Sequence, residues 1–155
     1  MAVFLLAMFS FLIFTVVLPN MSNYYYNRGN VRSKLGDNEG AIKDYNQAIE
    51  LDPKNAIAYK NRGLARSKLG DNEGAIKDYN QAIELDPKNA IAYIDRGLAR
   101  SELGDNEGAI KDYNQAIELD PKNAIAYKNR GIVRFRLMDF NGAAADRTKY
   151  TGLLK

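Results

Sequence analysis

The chain has no cysteine, no histidine and no tryptophan in its 155 residues. Without thiols or imidazoles it can build no disulfide framework, no zinc or iron–sulfur centre on those ligands, no thiol nucleophile and no imidazole general base. Most common enzyme constellations are thereby excluded. The missing cysteines fit either redox compartment and so give no address. A dominant charge is lacking too: 22 Lys plus Arg stand against 19 Asp plus Glu, a net +3 with the two signs interleaved. That balance makes neither a nucleic-acid footprint nor a polybasic membrane patch. What is plentiful is apolar material, 46% of the residues, enough for one compact domain or a short array.

Self-comparison reveals a period of 34 residues. The stretch 56–89 recurs as 90–123 with three changes: Lys60 becomes Ile94, Asn61 becomes Asp95 and Lys68 becomes Glu102. An earlier copy, 22–55, differs from the second at six places, all within its first ten residues. A fourth copy starts at Ala124 and decays after Leu137. The units are therefore 22–55, 56–89, 90–123 and 124–155, preceded by an apolar segment, 1–21.

Punctuation within a unit predicts two helices. In the second unit Asn55 can cap a helix running to about Leu69, and Gly70 offers a left-handed stop. Asp71 can cap the next helix, with Glu73 favouring the positive end of its dipole. That helix should end near Leu85, because Asp86 precedes Pro87 and is biased away from helical dihedrals. Tyr59, Gly63 and Leu69 fall on one side of the first helix, while Ala75, Ile76, Tyr79, Ala82, Ile83 and Leu85 line the second. Gly63, Ala75 and Ala82 are small where helix backbones must approach. One such hairpin cannot hide its apolar face alone, so neighbours must stack into an all-α solenoid.

Recurrent positions make the pattern specific. Each unit has Tyr in the fourth place (Tyr25, Tyr59, Tyr93, Tyr127), Gly in the eighth (Gly29, Gly63, Gly97, Gly131) and Ala in the twentieth (Ala41, Ala75, Ala109, Ala143). The first three add an aromatic in the twenty-fourth (Tyr45, Tyr79, Tyr113), Ala in the twenty-seventh (Ala48, Ala82, Ala116) and Pro in the thirty-second (Pro53, Pro87, Pro121). Over residues 22–155 the chain resembles the tetratricopeptide repeat. The resemblance implies a right-handed α-solenoid of four helix-turn-helix repeats. It also implies a non-enzymatic module that holds a peptide or helix of another protein on the concave face formed by the first helices. The chain departs from the family pattern with Arg in the seventh and eleventh places. The fourth unit departs again, with Arg147 and Tyr150 where an aromatic and Ala would stand, so its second helix is expected to act as an end cap.

Differences among the units concentrate at positions four apart on the first helices, which share one face. This stripe supplies the candidate partner-binding residues: Tyr26, Asn30 and Lys34; Lys60, Leu64 and Lys68; Ile94, Leu98 and Glu102; and Lys128, Ile132 and Arg136 of the fourth unit. Drift at exposed positions would give the same divergence. Some members of the family grip a partner's C-terminal carboxylate with a Lys and Asn clamp, of which only Asn30 and Asn61 are matched here. Tyr26, Ile91 and Asp95 replace the other three residues, which argues against a chaperone-tail clamp.

The eight arginines in the seventh and eleventh places invite a phosphate or RNA reading. The resemblance implies that the seventh and eleventh places face the second helix, which carries Asp44, Asp78, Asp112 and Asp146 at corresponding positions, so an internal Arg to Asp ladder is preferred and no nucleic acid is expected. The Gly-Asp-Asn-Glu-Gly turn, as at Gly70 to Gly74, lacks the alternating ligands of a calcium loop and reads as helix punctuation. Carboxylates that recur once per unit are not a singular desolvated pair. No catalytic residue, cofactor or metal ligand is nominated. Near-identical units with apolar open ends also allow a structural alternative, self-association head to tail into oligomers or filaments.

Ala2 to Leu18 is a stretch of 17 residues without charge, closed by Pro19. As a helix it would measure about 25 Å, the short limit for crossing a bilayer. It lacks a basic n-region and a clear small-residue cleavage site, so an uncleaved membrane anchor is expected. Arg28, Arg32 and Lys34 follow it while no cation precedes it, which would place the solenoid in the cytoplasm. A cleaved signal, a true start at Met21 and a buried helix remain open, as does use of the sequon Asn20-Met21-Ser22 should this end be lumenal.

Overall fold

The computed structural model of the chain describes residues 18–154. Among them are eight helices and no strand: α1 (Leu18–Lys34), α2 (Asn38–Leu51), α3 (Ala56–Lys68), α4 (Asn72–Leu85), α5 (Ala90–Glu102), α6 (Asn106–Leu119), α7 (Ala124–Arg136) and α8 (Phe140–Gly152). Each unit is a helical hairpin, as its capping residues dictate. Asn55 accepts a hydrogen bond from the Ala58 amide and Asp71 one from the Gly74 amide. Gly36, Gly70 and Gly104 close the first helices at φ between 84° and 87°. In the fourth unit Met138 holds the same place at φ 62°. The first helix begins before the period does, with Pro19 in its opening turn, where a missing amide hydrogen is tolerated.

The hairpins stack in chain order, each second helix packing on the next first helix. Successive first helices touch one another as well, α1 with α3, α3 with α5 and α5 with α7, whereas the second helices make no comparable contact. The first helices therefore crowd along an inner, concave wall and the second helices splay along an outer one. The result is the expected all-α solenoid.

Small residues and one ring per unit hold each inner hairpin shut. Tyr45, Tyr79 and Tyr113 are 1% exposed, and each ring lies over the glycine of its partner helix. A Cβ on Gly63 would sit 2.8 Å from the Tyr79 ring, so no larger residue fits without displacing it. Burying such a ring contributes about 2 kcal/mol per unit. Ala65 and Ala99 cap the Tyr45 and Tyr79 clusters from the following unit, and Val133 does so for Tyr113. Leu69, expected on the same buried side as Tyr59 and Gly63, is instead the C-cap of α3 and 49% exposed.

The arginines form the expected ladder. Asp78, 3% exposed, takes bonds from Arg62 Nε (2.9 Å) and Nη2 (2.5 Å) and from Arg66 Nη1 (2.8 Å). Asp44, Asp112 and Asp146 are held in the same way by Arg28 and Arg32, Arg96 and Arg100, and Arg130 and Arg134. Each Arg of the seventh place also lies over its own unit's Tyr, as Arg62 does over Tyr59 at 5.4 Å. From the second unit on it then reaches the preceding unit, Arg62 Nη1 donating to Asn46 Oδ1 (2.8 Å) and Arg96 Nη1 to Asn80 Oδ1 (2.8 Å). The guanidiniums are thus taken up inside and between hairpins.

The proposed membrane span of residues 2–18 lies almost wholly outside the described residues. Among those that are described, no helix is long and apolar enough to cross a membrane. Ser22 of the sequon is 2% exposed, and its hydroxyl donates to the Ala48 carbonyl.

Candidate functional site: the inner wall

The inner wall is built by α1, α3, α5 and α7, and the three junctions between units give it three different characters. At the first, the Tyr45 hydroxyl donates to Asn30 Oδ1 (2.8 Å), and Asn61 Nδ2 donates both to that oxygen (2.9 Å) and to the Tyr26 hydroxyl (3.3 Å). Tyr26 and Tyr45 lie with ring centroids 6.2 Å apart. Beside this network opens a groove of about 360 Å³, lined by Asn30, Ser33, Lys34, Tyr45, Asn61, Leu64 and Lys68. Its polar end carries two lysines, one of which, Lys68, donates to Ser33 Oγ (3.5 Å). Burial pushes the Tyr45 phenol up to about 12, so it stays a hydrogen-bond donor throughout the neutral range.

At the second junction the equivalent positions hold Lys60, Leu64 and Asp95. Leucine for asparagine removes the shared acceptor, and aspartate for asparagine removes the amide donor. Burial raises the Asp95 carboxyl to about 6, with Lys60 pulling it partly back. The same lack of solvent raises the Tyr79 phenol, helped by the nearby Asp95 and Asp78 charges.

At the third junction the equivalent positions hold Ile94, Leu98 and Asn129. Ile94 is 7% exposed and joins Tyr113, Ala126 and Val133 in the largest core cluster. At this register it faces the next unit rather than solvent. Leu64, Leu98 and Ile132 are 38%, 44% and 45% exposed, and Lys34, Lys68, Glu102, Lys128 and Arg136 are exposed. Tyr26, Asn30 and Lys60 are half-buried. The wall gathers Lys34, Lys60, Lys68, Lys128 and Arg136 against Asp95 and Glu102, an excess of three positive charges.

A feature the sequence reading did not single out lies at the fourth unit. There Arg147 stands where the inner units place a tyrosine ring, and a cavity of about 610 Å³ opens between α7 and α8. Its walls come from Tyr127, Gly131, Ile132 and Phe135 on α7, and from Phe140, Ala143, Ala144 and Tyr150 on α8. Lys128, Arg136 and Arg147 stand at its edge. The replacement of Tyr by Arg opposite an unchanged Gly131 was the available signal. Within α8 only Asp146 is buried. Among the described residues no three acidic side chains converge on a metal site.

Comparisons with known proteins agree with this geometry. The family model for the TPR repeat matches residues 29–70, 65–104 and 97–137. A TPR repeat-containing protein of Methanocaldococcus jannaschii is 46% identical over 44 residues, which are 28% of this chain and 8% of that protein. Among solved structures, MamA superposes with a TM-score of 0.83 at 25% identity, covering 87% of this chain and 79% of MamA. The first TPR domain of Spaghetti (RPAP3), solved with an HSP90 peptide, superposes with a TM-score of 0.76 at 31% identity, covering 77% of this chain and 95% of that one. Period, helix order and family model agree, and the chain belongs to the tetratricopeptide-repeat family.

Proposed function

We propose that the chain is a non-enzymatic protein-interaction module whose inner wall holds a peptide or helical segment of another protein. The observation that carries this reading is the contrast between walls: the outer helices α2, α4 and α6 repeat without change, while the inner wall changes character at each junction and keeps an excess of positive charge. The RPAP3 domain of similar fold is solved with the HSP90 peptide SRMEEVD, an acidic segment. A net-positive wall suits a partner of the same sign as that peptide. Tyr26, Ile91 and Asp95 in place of the clamp residues set this wall apart from a carboxylate clamp of that type.

Crosslinking to a captured partner tests the wall. Lysine-reactive crosslinks are expected on Lys34, Lys60 and Lys68, and not on Lys43, Lys77 and Lys111, which are exposed and identical on the outer helices. Crosslinks confined to the outer set would overturn the reading. Lys34→Glu with Lys68→Glu should weaken capture by roughly tenfold.

Self-association head to tail is the second reading, supported by exposed Phe135 (63%), Met138 (76%) and Phe140 (59%) at the open end. Light scattering across a concentration series decides it, since a constant monomer mass removes it. We further propose that residues 2–18 tether the chain to a membrane, with the solenoid on the cytoplasmic side. Retention in the membrane pellet after alkaline carbonate, with the repeats open to protease from the cytoplasmic face, is the expected result. Release by carbonate would refute the tether.

A further inference from the structure

We infer that the fourth unit carries an anchor socket that takes an apolar side chain from an acidic segment of a partner protein. This deepens the partner-binding reading and rests on it, because α7 contributes to both the inner wall and the socket. Its geometry comes from a substitution. In each inner unit a tyrosine ring covers the glycine of the first helix, at 2.8 Å from the position a Cβ would take. In the fourth unit the nearest side-chain atom to that position on Gly131 is Asp146 Cβ at 3.2 Å, and no ring covers it. The space the ring would fill is part of an open cavity of about 610 Å³, within the range of about 300–1,000 Å³ typical of ligand pockets.

The lining states what would fill it. Phe135 and Phe140 meet edge to face at 5.5 Å and are 63% and 59% exposed, and Ile132 and Tyr150 complete an apolar floor. Such surface gains by taking an aromatic or branched side chain out of water. Three cations, Lys128, Arg136 and Arg147, surround it, and no carboxylate lines it. Among the described residues none of the three forms a salt bridge; Arg136 donates to Ser101 Oγ (2.9 Å). An apolar anchor flanked by Asp or Glu matches both features.

The same charges argue against the alternatives. A second copy stacking through α1 would bring Lys34 towards the socket with no acidic residue anywhere in Leu18–Lys34. It would also bury the Arg147 guanidinium where each inner junction buries a phenol, a costly exchange. The chain's own uncharged residues 2–17 offer no carboxylate to the three cations.

The test uses the full chain and a fluorescein-labelled synthetic peptide in which Asp and Glu flank a central Phe-Leu pair, followed by fluorescence anisotropy. Saturable binding is expected, lost by at least roughly tenfold when the Phe-Leu pair becomes Ala-Ala. Arg147→Tyr, which restores the ring of the inner units, should weaken binding by at least roughly tenfold with helicity and melting temperature maintained or raised. Arg147→Ala removes the charge and leaves the room, and should weaken it only about threefold. Equal losses in the two variants, or equal binding of the Ala-Ala peptide, would reduce the site to surface charge and overturn the socket. Tighter binding of a peptide with the sequence of residues 2–17 would overturn it in favour of the chain's own segment. A doubled mass that Arg147→Tyr returns to monomer would do so in favour of a second copy. The Lys34→Glu, Lys68→Glu variant separates the two proposals. If it loses partner capture yet binds the peptide normally, the socket stands by itself; if the unsubstituted chain captures its partner with crosslinks on the inner wall but does not bind the peptide, the socket falls and the inner-wall reading remains.

Discussion

The inner three units and the fourth share one plan but differ in what lies between their helices. In the inner units a phenol ring fills the space over a glycine, and in the fourth an arginine leaves that space open. The buried Asp with its two arginines is present in all four. The comparison teaches that the ion cluster is enough to close a hairpin, whereas the ring is what seals it and receives the next unit.

Breaking the shared element should have the largest effect. Asp78→Ala leaves two guanidiniums, 15% and 26% exposed, without their carboxylate, and should cost about 3–5 kcal/mol in urea denaturation. Asp146→Ala breaks the same cluster at the open end. Its effect should be smaller and read by hydrogen exchange as lost protection confined to α7 and α8.

The ring and glycine pair gives a sharper contrast. Gly63→Ala pushes into a packed ring and should destabilise by about 1–3 kcal/mol. Gly131→Ala meets Asp146 Cβ at 3.2 Å and the Ala143 carbonyl oxygen at 3.6 Å but no ring, and it gains helix propensity, so it should stay within about 1 kcal/mol of the parent protein. Equal losses at the two positions would show that the fourth unit is as tightly closed as the others.

The second junction carries a pH signature that the first lacks. The Asp95 carboxyl is raised from its ordinary value near 3.8 to about 6 in the folded chain. The folded state therefore holds the proton more tightly than the unfolded state. This contribution is fully present below about pH 3.8 and is lost as pH rises through about 6. Asp95→Asn, which installs the residue of the other units, should flatten that slope and stabilise the protein by about 1 kcal/mol at pH 7. Thermal melts at pH 4, 5, 6 and 7 would check this, and an unchanged slope would exclude Asp95 as its source.

The smallest effect belongs to the turn of the fourth unit. Met138 adopts φ 62° where Gly36, Gly70 and Gly104 serve the other units. Met138→Gly should relieve up to about 1 kcal/mol of backbone strain. Gly70→Met should cost a similar amount, again measured by melting.

Much of this was legible because the chain repeats itself. Asn55, Asp71, Gly70 and Pro87 mark helix ends by local chemistry, and the geometry implied by the family resemblance sets Arg62 and Arg66 opposite Asp78. The inner wall was less legible. Divergence at one position records both exposure and repacking, so Ile94, divergent like Lys60, turned out 7% exposed in the core. The network of Asn30, Asn61, Tyr26 and Tyr45 joins two units and depends on how far one hairpin sits from the next, which periodicity does not fix. The cavity of the fourth unit follows from a volume that is missing, and sequence patterns report side chains that are present.

Each hairpin is clamped by two arginines on one carboxylate, while neighbouring hairpins meet through side chains such as Ala65, Ala99 and Val133, one Arg to Asn bond per junction, and polar contacts that differ from junction to junction. Stiffness is therefore concentrated within the hairpins and compliance between them. Small rotations shared among those joints would let the array widen or tighten like a short spring while every hairpin keeps its shape.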